Sequence, residues 1–182
     1  ARHLSREFCL PGLEFIYGDA ANLLLDDNRF DFVSCRLALQ IFDRPDHILR
    51  ELVRICRPGG RIYLLNETFS RCFGFPNSEA IAWTYQEASG LFGALSMDLE
   101  FGPKMRCHMV EAGLEDVRVE PLLLTSCNTN GEDFAAVIRS WETYVVEQLA
   151  MKAGKDEAYC RRLREGFDAH VRAVTHEKGF GG

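Results

Sequence analysis

The chain has 182 residues, of which 47% are hydrophobic and 26% charged, and its formal net charge is −6 at pH 7. This length suits one domain, and the composition excludes a disordered or fibrous chain. The negative charge argues against a broad nucleic-acid-binding surface, because such domains are usually basic. No apolar run approaches the ~20 residues that span a bilayer, and no leader peptide is visible. We therefore expect a cytoplasmic protein without a membrane span.

The cysteines give no sign of a metal or redox centre. There are seven of them, an odd number, and no two form a Cys-x-x-Cys pair. Zinc sites and redox motifs need close pairs of this kind. We therefore expect free thiols in a reducing compartment, and no metal.

The first predicted elements alternate between helix and strand. A helix is predicted over residues 1–10 and ends at Pro11-Gly12, a turn signal. A strand follows over 13–17, and after a turn over 26–29 a second strand is predicted over 30–35.

A strong amphipathic pattern predicts the next helix over residues 47–56, with Asp43 as a candidate N-cap. Pro58-Gly59-Gly60 ends it, and a buried strand is predicted over 61–66. Strand, helix, glycine-rich turn and strand in this order predict a βαβ unit in a parallel sheet.

The second half of the chain is predicted to be mostly helical. Residues 67–104 are irregular in pattern and rich in aromatic residues, and a helix is predicted over 103–112. A fourth strand is predicted over 116–124, followed by helices near 132–151 and 156–177.

Three segments in this order and at this spacing resemble a known family. They are FIYGDAANL, FDFVSCRLALQIF and ILRELVRICRPGGRIYLLNE. Together they look like the class I S-adenosylmethionine-dependent methyltransferases, and within them the type 11 small-molecule group that includes the quinone-biosynthesis C-methyltransferases. The resemblance covers residues 1–124. It implies a Rossmann-like α/β sheet with flanking helices, S-adenosylmethionine as cofactor, and methyl transfer to a small, largely apolar acceptor.

The resemblance also implies cofactor-binding residues. Asp19 and Ala20 lie in the loop where the family reads the adenine ring, and Cys35, Arg36 and Leu37 lie where it lines the methionine part. Ligands of open α/β sheets sit beyond the carboxyl ends of the strands, which agrees with these positions. Three of these positions also have a structural alternative. Asp19 could be a turn-capping carboxylate, and Cys35 could be a buried small residue. Arg36 could form a surface ion pair with Asp19 or Asp43.

No catalytic residue is assigned. Asn66 and Glu67 end the third strand on the binding side, where they could face a substrate. His47 and His108 are conceivable bases, but their positions on helices favour a role as bystanders. A general base is optional for methyl transfer, so the sequence leaves it unknown.

Two family elements have no counterpart in this sequence: the glycine-rich loop after the first strand, and the acidic residue that holds the ribose. In the family's strand order 3-2-1-4-5-7-6, the chain would supply strands 3, 4, 5 and 6. Strand 3 would then lie roughly 14 Å from strand 4, at ~4.8 Å per strand. We therefore expect a single partial domain over 1–182, incomplete at both ends, with helical substrate or lid insertions at 67–104 and 131–177.

Two other functions remain open. A nicotinamide-dependent oxidoreductase also uses a doubly wound sheet, although its usual Tyr/Lys or His pair is not evident here. A catalytically inactive, methyltransferase-like binding module is the other alternative. The expected partner is a small-molecule acceptor and not a nucleic acid, because Cys35-Arg36-Leu37-Ala38 replaces the Asn/Asp-Pro-Pro-Tyr-like loop of nucleic-acid methyltransferases. A homodimer is left open.

Overall fold

The computed structural model describes residues 12–182 with the exception of Glu177, so the helix predicted over residues 1–10 lies outside the described residues. The helices and strands, in chain order, are β1 (Phe30–Arg36), α1 (Pro45–Ile55), β2 (Cys56–Leu65), β3 (Gly74–Phe75), α2 (Ser78–Gly93), α3 (Met105–Glu111), α4 (Gly131–Thr143), α5 (Glu157–Thr175) and β4 (Phe180–Gly181). A π-helical segment, Tyr144–Ala150, continues α4.

The predicted βαβ unit is confirmed. β1 and β2 pair in parallel, with Val33 opposite Ile62 and Arg36 opposite Leu65. The connecting helix α1 buries Ile48, Leu49, Leu52 and Ile55, a spacing that places all four on one helix face. The described chain is therefore of the α/β class, with a parallel pair flanked by helices, as the Rossmann-like prediction requires.

The start of α1 differs from the prediction. Arg44 is the N-cap, not Asp43, and no side chain caps this end. Pro45 explains the difference, because proline favours the first helical position and so makes the residue before it the cap.

Two predicted strands, over 13–17 and 116–124, do not form. Neither segment belongs to a sheet in the described part of the chain, and Tyr17 and Leu122 are exposed to solvent. A strand needs a neighbour to bind its backbone N–H and C=O groups, and neither segment has one among the described residues. Pro121 removes a further donor. In the family order only strands 4 and 5 of the predicted set are adjacent, and these two are the pair that forms.

The glycine-rich turn lies inside β2 and not before it. Phe30 pairs with Cys56 and Phe32 with Arg61, so the residues between the two partners on β2 bulge out of the ladder. A Cβ atom on Gly60 would lie 2.6 Å from the Cys56 Sγ atom, which is too close for any side chain. The Arg57 carbonyl, at 2.9 Å, and the Asp31 carbonyl, at 3.0 Å, would also be too close, so glycine is required at this bulge between the two strands.

The molecule has two hydrophobic clusters. One lies between the β1–β2 pair and helices α1 and α3. The other joins α2, α4 with its π-helical extension, and α5, and we call this part the helical unit. Phe69 is central to the second cluster, where its ring centroid lies 5.3 Å from that of Tyr85 and 5.0 Å from that of Trp141, both edge to face. The predicted helices near 132–151 and 156–177 are confirmed in this unit.

Candidate functional site

The carboxyl ends of β1 and β2 lie at the same edge of the sheet because the two strands are parallel. The Leu37 N–H donates to the Leu65 carbonyl at 2.7 Å and ties these ends together. We call the residues at or just beyond this edge the strand-end cluster: Cys35, Arg36, Leu37, Gln40, Asn66 and Glu67. In parallel sheets this edge is where ligands bind.

Leu37 is held in a strained conformation. Its φ is +53°, in the left-handed region that residues other than glycine rarely adopt. Such a conformation costs an L-residue about 1–2 kcal/mol. Strain of this kind persists where the surrounding structure enforces it, and it is concentrated at functional sites.

Arg36 has an available guanidinium group. Its side chain is exposed and forms no ion pair or hydrogen bond with any described residue. The ion pair with Asp19 or Asp43 that the sequence left open is therefore not formed in this structure. The guanidinium can bind a carboxylate with two parallel hydrogen bonds.

Cys35 is half-buried at the end of β1. Burial raises the pKa of its thiol, and a hydrogen bond from the Leu39 backbone lowers it by less. The raised pKa leaves the thiol protonated and uncharged at neutral pH, which makes it a lining group and a poor nucleophile.

Gln40 and Glu67 form a hydrogen-bonded clamp across the strand ends. The Gln40 Oε1 atom accepts from the Glu67 backbone N–H at 2.8 Å, and its Nε2 atom donates to the Glu67 Oε2 atom at 2.9 Å. Gln40 is only 1% exposed, and its carbonyl accepts from the Asp98 N–H at 2.8 Å. Gln40 is therefore bonded to the sheet edge through its side chain and to the segment after α2 through its main-chain carbonyl. Sequence reasoning missed Gln40, because an isolated glutamine carries no motif.

Burial raises the pKa of Glu67, and the hydrogen bond from Gln40 offsets part of this increase. Burial, together with the charges of Glu67 and Glu100, raises the pKa of the Cys72 thiol to about 12. The pKa of Tyr85 is also raised well above its ordinary value, mainly by burial. Cys72 and Tyr85 therefore remain neutral at neutral pH beside the Glu67 carboxyl.

Tyr85 lies in the helical unit, where its hydroxyl group has a buried polar partner. Its hydroxyl and the His170 Nδ1 atom are hydrogen-bonded at 2.7 Å, and both side chains are buried. Burial lowers the pKa of His170 to about 4. His170 is therefore an uncharged imidazole at neutral pH.

Asn66 has an unsatisfied polar atom. Its Oδ1 atom is buried and has no hydrogen-bond partner among the described residues, while its Nδ2 atom lies 3.2 Å from the Met105 sulfur. An unsatisfied buried acceptor costs about 1–3 kcal/mol. A bound ligand with an N–H or O–H donor would remove this cost.

The loop that carries Asp19 and Ala20 is fixed against α1. The Leu23 N–H donates to the Glu51 carboxylate at 2.9 Å, and the Arg54 guanidinium donates to the Leu23 carbonyl at 2.8 Å. Hydrogen bonds from the Arg54 guanidinium, at 2.8 and 2.9 Å, and from the Leu23 N–H lower the pKa of Glu51 to about 2.

The Asp19 Oδ1 atom accepts from the Ala21 N–H at 2.9 Å, which is the turn-capping role that the sequence left as an alternative. Asp19 is exposed and Ala20 half-buried, and neither is hydrogen-bonded to the described residues of the strand-end cluster. Their part in adenine binding stays a prediction.

The two histidines considered as bases lie on α1 and α3. His47 contacts Arg44 and Asp46 on the surface of α1. The His108 ring is stacked on Phe101, with centroids 4.9 Å apart. Neither forms a hydrogen bond with the strand-end cluster in the described chain, so no catalytic role is assigned to either.

Among residues 12–176 and 178–182, none of the helices combines the length and apolar character needed to cross a membrane.

Comparison with known proteins finds similarity to methyltransferases. Residues 1–64 match a family described as a methyltransferase domain. The chain is 30% identical over 126 residues to a demethylmenaquinone methyltransferase of Bacillus cereus (strain AH187), covering 62% of this chain and 52% of that protein. The same values hold for the demethylmenaquinone methyltransferase of Bacillus anthracis (strain CDC 684 / NRRL 3495). The chain is therefore similar, over part of its length, to methyltransferases. The resemblance seen in the sequence is thereby confirmed.

The chain spans about half the length of the curated relatives it matches. A crystal structure from Bacillus halodurans C-125, whose name also contains the word methyltransferase, aligns with 82% of this chain and 66% of its own. That alignment has a TM-score of 0.49 and 20% sequence identity.

Proposed function

We propose that this chain forms part of an enzyme that transfers a methyl group from S-adenosylmethionine to a small, largely apolar acceptor. The observation that carries the proposal is the strand-end cluster. It combines a strained residue, Leu37, with a buried acceptor on Asn66 that lacks a partner, at the edge where parallel sheets bind ligands.

The residues present fit the cofactor. Arg36 has no partner among the described residues and suits the carboxylate of the methionine part, while Asn66 Oδ1 suits an amine donor. We assign Cys35, Arg36 and Leu37 to the wall around the methionine part, and Asp19 and Ala20 to the adenine ring. When bound, the cofactor supplies an electrophilic methyl group on a sulfonium. The protein's task is then to orient the acceptor and exclude water.

The acceptor side is proposed to be the helical unit. We assign residues 67–104 and 131–177 as substrate or lid insertions of a single partial domain over 1–182. Their aromatic interior, with Phe69, Tyr85 and Trp141 edge to face, favours an apolar ring over a charged polymer. The relatives are named for demethylmenaquinone, which is an acceptor of this chemical type.

Calorimetric titration with S-adenosylhomocysteine tests the proposal. We expect the wild-type chain to bind it, and Asp19→Ala to weaken binding by about tenfold, the effect of losing one hydrogen bond to a charged group. Asp26→Ala is the matched control, because Asp26 is an exposed carboxylate in the same connection before β1. No heat with the wild type, or equal affinities for wild type and Asp19→Ala, would contradict the assignment. Binding of NAD instead would support the oxidoreductase.

A further inference from the structure

One side of α4 and its π-helical extension faces solvent and carries almost no charge. Along the extension, buried and exposed pairs alternate: Val145 and Val146 are buried, Glu147 and Gln148 exposed, and Leu149 and Ala150 buried again. The wider turns of the π-helix, in which the Met151 N–H donates to the Val146 carbonyl at 3.3 Å, keep this alternation continuous with that of α4. We call the exposed side the outer face of α4: Ala136, Val137, Ser140, Thr143, Tyr144, Glu147, Gln148 and Met151.

The outer face of α4 exposes apolar side chains where a solvated helix would expose charges. Val137, Tyr144 and Met151, spaced by seven residues, are 49%, 39% and 59% exposed. Helix α5 differs, because the side chains that it exposes are mainly charged, such as Arg161 and Arg164. Regularly spaced apolar residues on an exposed helix face are typical of a helix that packs against another helix.

The polar groups on the outer face of α4 do not require water. The Ser140 hydroxyl donates to the Val137 carbonyl at 2.8 Å, and the Thr143 hydroxyl donates to the Arg139 carbonyl at 3.0 Å. Covering this face therefore leaves neither hydroxyl without an acceptor. Ala136 and Ser140 are also short, so the axis of a second helix can approach closely.

The two ends of the outer face of α4 carry opposite charges. Glu132 and Asp133 lie at the start of α4, Lys152 and Lys155 follow the π-helix, and all four are exposed. None of the four forms an ion pair with a residue in the described part of the chain, although the Lys155 ammonium lies 4.7 Å from the centroid of the Tyr159 ring. A second copy in the antiparallel orientation would place the acidic end of one helix beside the basic end of the other.

We infer that the outer face of α4 binds the same face of a second copy of this chain, with the two helices antiparallel about a twofold axis near Tyr144. Val137 of one copy then lies opposite Met151 of the other, and Asp133 opposite Lys155, because the members of each pair are equally distant from Tyr144 in sequence. Residues 131–150 form a helix ~30 Å long. An interface of this length is small for a specific one, so we expect a dissociation constant on the order of 10 μM. The inference goes beyond the proposed function and does not depend on it.

Sedimentation velocity of the full chain, at concentrations from about 1 to 200 μM on either side of the expected constant, tests the inference. We expect monomer at the lowest concentration and dimer at the highest. Val137→Glu weakens the dimer about a hundredfold or more, because each copy then buries a carboxylate in the interface. Val110→Glu is the matched control and retains the dimer, since Val110 is 48% exposed, as Val137 is 49%, but lies on α3.

Charge reversal tests the antiparallel orientation. Asp133→Lys and Lys155→Asp each place like charges opposite one another, so each weakens the dimer about three- to tenfold. The double variant restores the wild-type affinity, because it keeps each pair with its signs exchanged. Circular dichroism of each variant checks that the helices are retained, so that the loss measured is one of association.

Monomer at every concentration overturns the inference and leaves the outer face of α4 to a different partner. A dimer that survives Val137→Glu, or one that Val110→Glu also abolishes, overturns it too. So does a double charge variant that binds no more tightly than the single ones, because only the antiparallel pair brings Asp133 and Lys155 together.

Discussion

Replacing Gln40 by leucine removes the clamp and leaves the chain otherwise intact. The substitution deletes the acceptor of the Glu67 N–H, at 2.8 Å, and the donor to the Glu67 carboxylate, at 2.9 Å. An unpaired buried N–H costs about 1–3 kcal/mol, and a hydrogen bond to a charged group contributes about 1.5–3 kcal/mol. Leucine restores some apolar burial at a site that is 1% exposed. We therefore expect Gln40→Leu to lower the free energy of unfolding by about 3 kcal/mol.

Urea unfolding followed by tryptophan fluorescence and circular dichroism measures this loss. Trp141 reports on the helical unit, and the circular dichroism signal reports on the whole chain. Gln86→Leu is the control, because Gln86 is exposed on α2 and such a change falls within about 0.5 kcal/mol. A loss for Gln40→Leu no larger than that of the control would refute the claim that the clamp stabilises the strand ends.

Two further predictions concern the helical unit. A Cβ atom on Gly166 would lie 1.8 Å from the Thr84 Oγ1 atom, so Gly166→Ala should lower the free energy of unfolding by about 1–3 kcal/mol. Gly90→Ala is the control: its added Cβ atom meets nothing within 4 Å, so the free energy of unfolding should rise by about 0.5–1 kcal/mol. Equal effects of the two substitutions in urea unfolding would contradict the close approach of Gly166 to Thr84. Folding lowers the pKa of His170 from 6.5 to about 4. The stability that the neutral imidazole contributes is therefore fully present above pH 6.5 and is lost as the pH falls towards 4. Over that range the wild type should lose roughly 3 kcal/mol more than His170→Phe, and parallel stability–pH curves would contradict a buried neutral imidazole.

The sequence was sufficient for the βαβ unit because its signals are local. The apolar spacing of α1 and the strand-forming run of β2 each depend on a few neighbouring residues, and the structure has both elements. Of the predicted buried run over 61–66, only Leu64 is buried, and the glycine-rich turn lies inside β2. The segments 13–17 and 116–124 have equally good strand composition. Whether they pair depends on a neighbouring strand, which no local pattern can supply.

The helix α2 was not predicted, although its signal is present. The segment 67–104 has no regular hydrophobic pattern over its whole length. Within it, Ile81, Tyr85, Ala88 and Phe92 recur at helical spacing, and all four are buried. The glycines in its last turns weakened that pattern, because glycine is a poor helix former.

The candidate site was predictable only in part. Asn66 and Glu67 could be placed at the end of a strand, and Cys35, Arg36 and Leu37 at the end of its neighbour, because strand ends are visible in the sequence. The partner of Glu67 was not visible, since Gln40 meets it only after the two strands pair. The left-handed conformation of Leu37 is also a property of the folded chain.

Hydrogen exchange of the full chain, measured by mass spectrometry with and without S-adenosylhomocysteine, tests the central claim most directly. The account predicts slower exchange on binding in two places: the loop at Asp19 and Ala20, and the strand-end cluster from Arg36 to Gln40 and at Asn66 and Glu67. The exposed face of α5 should not change. Protection confined to other segments, or no protection at the strand ends under saturating ligand, would contradict the claim that this edge of the sheet binds the cofactor.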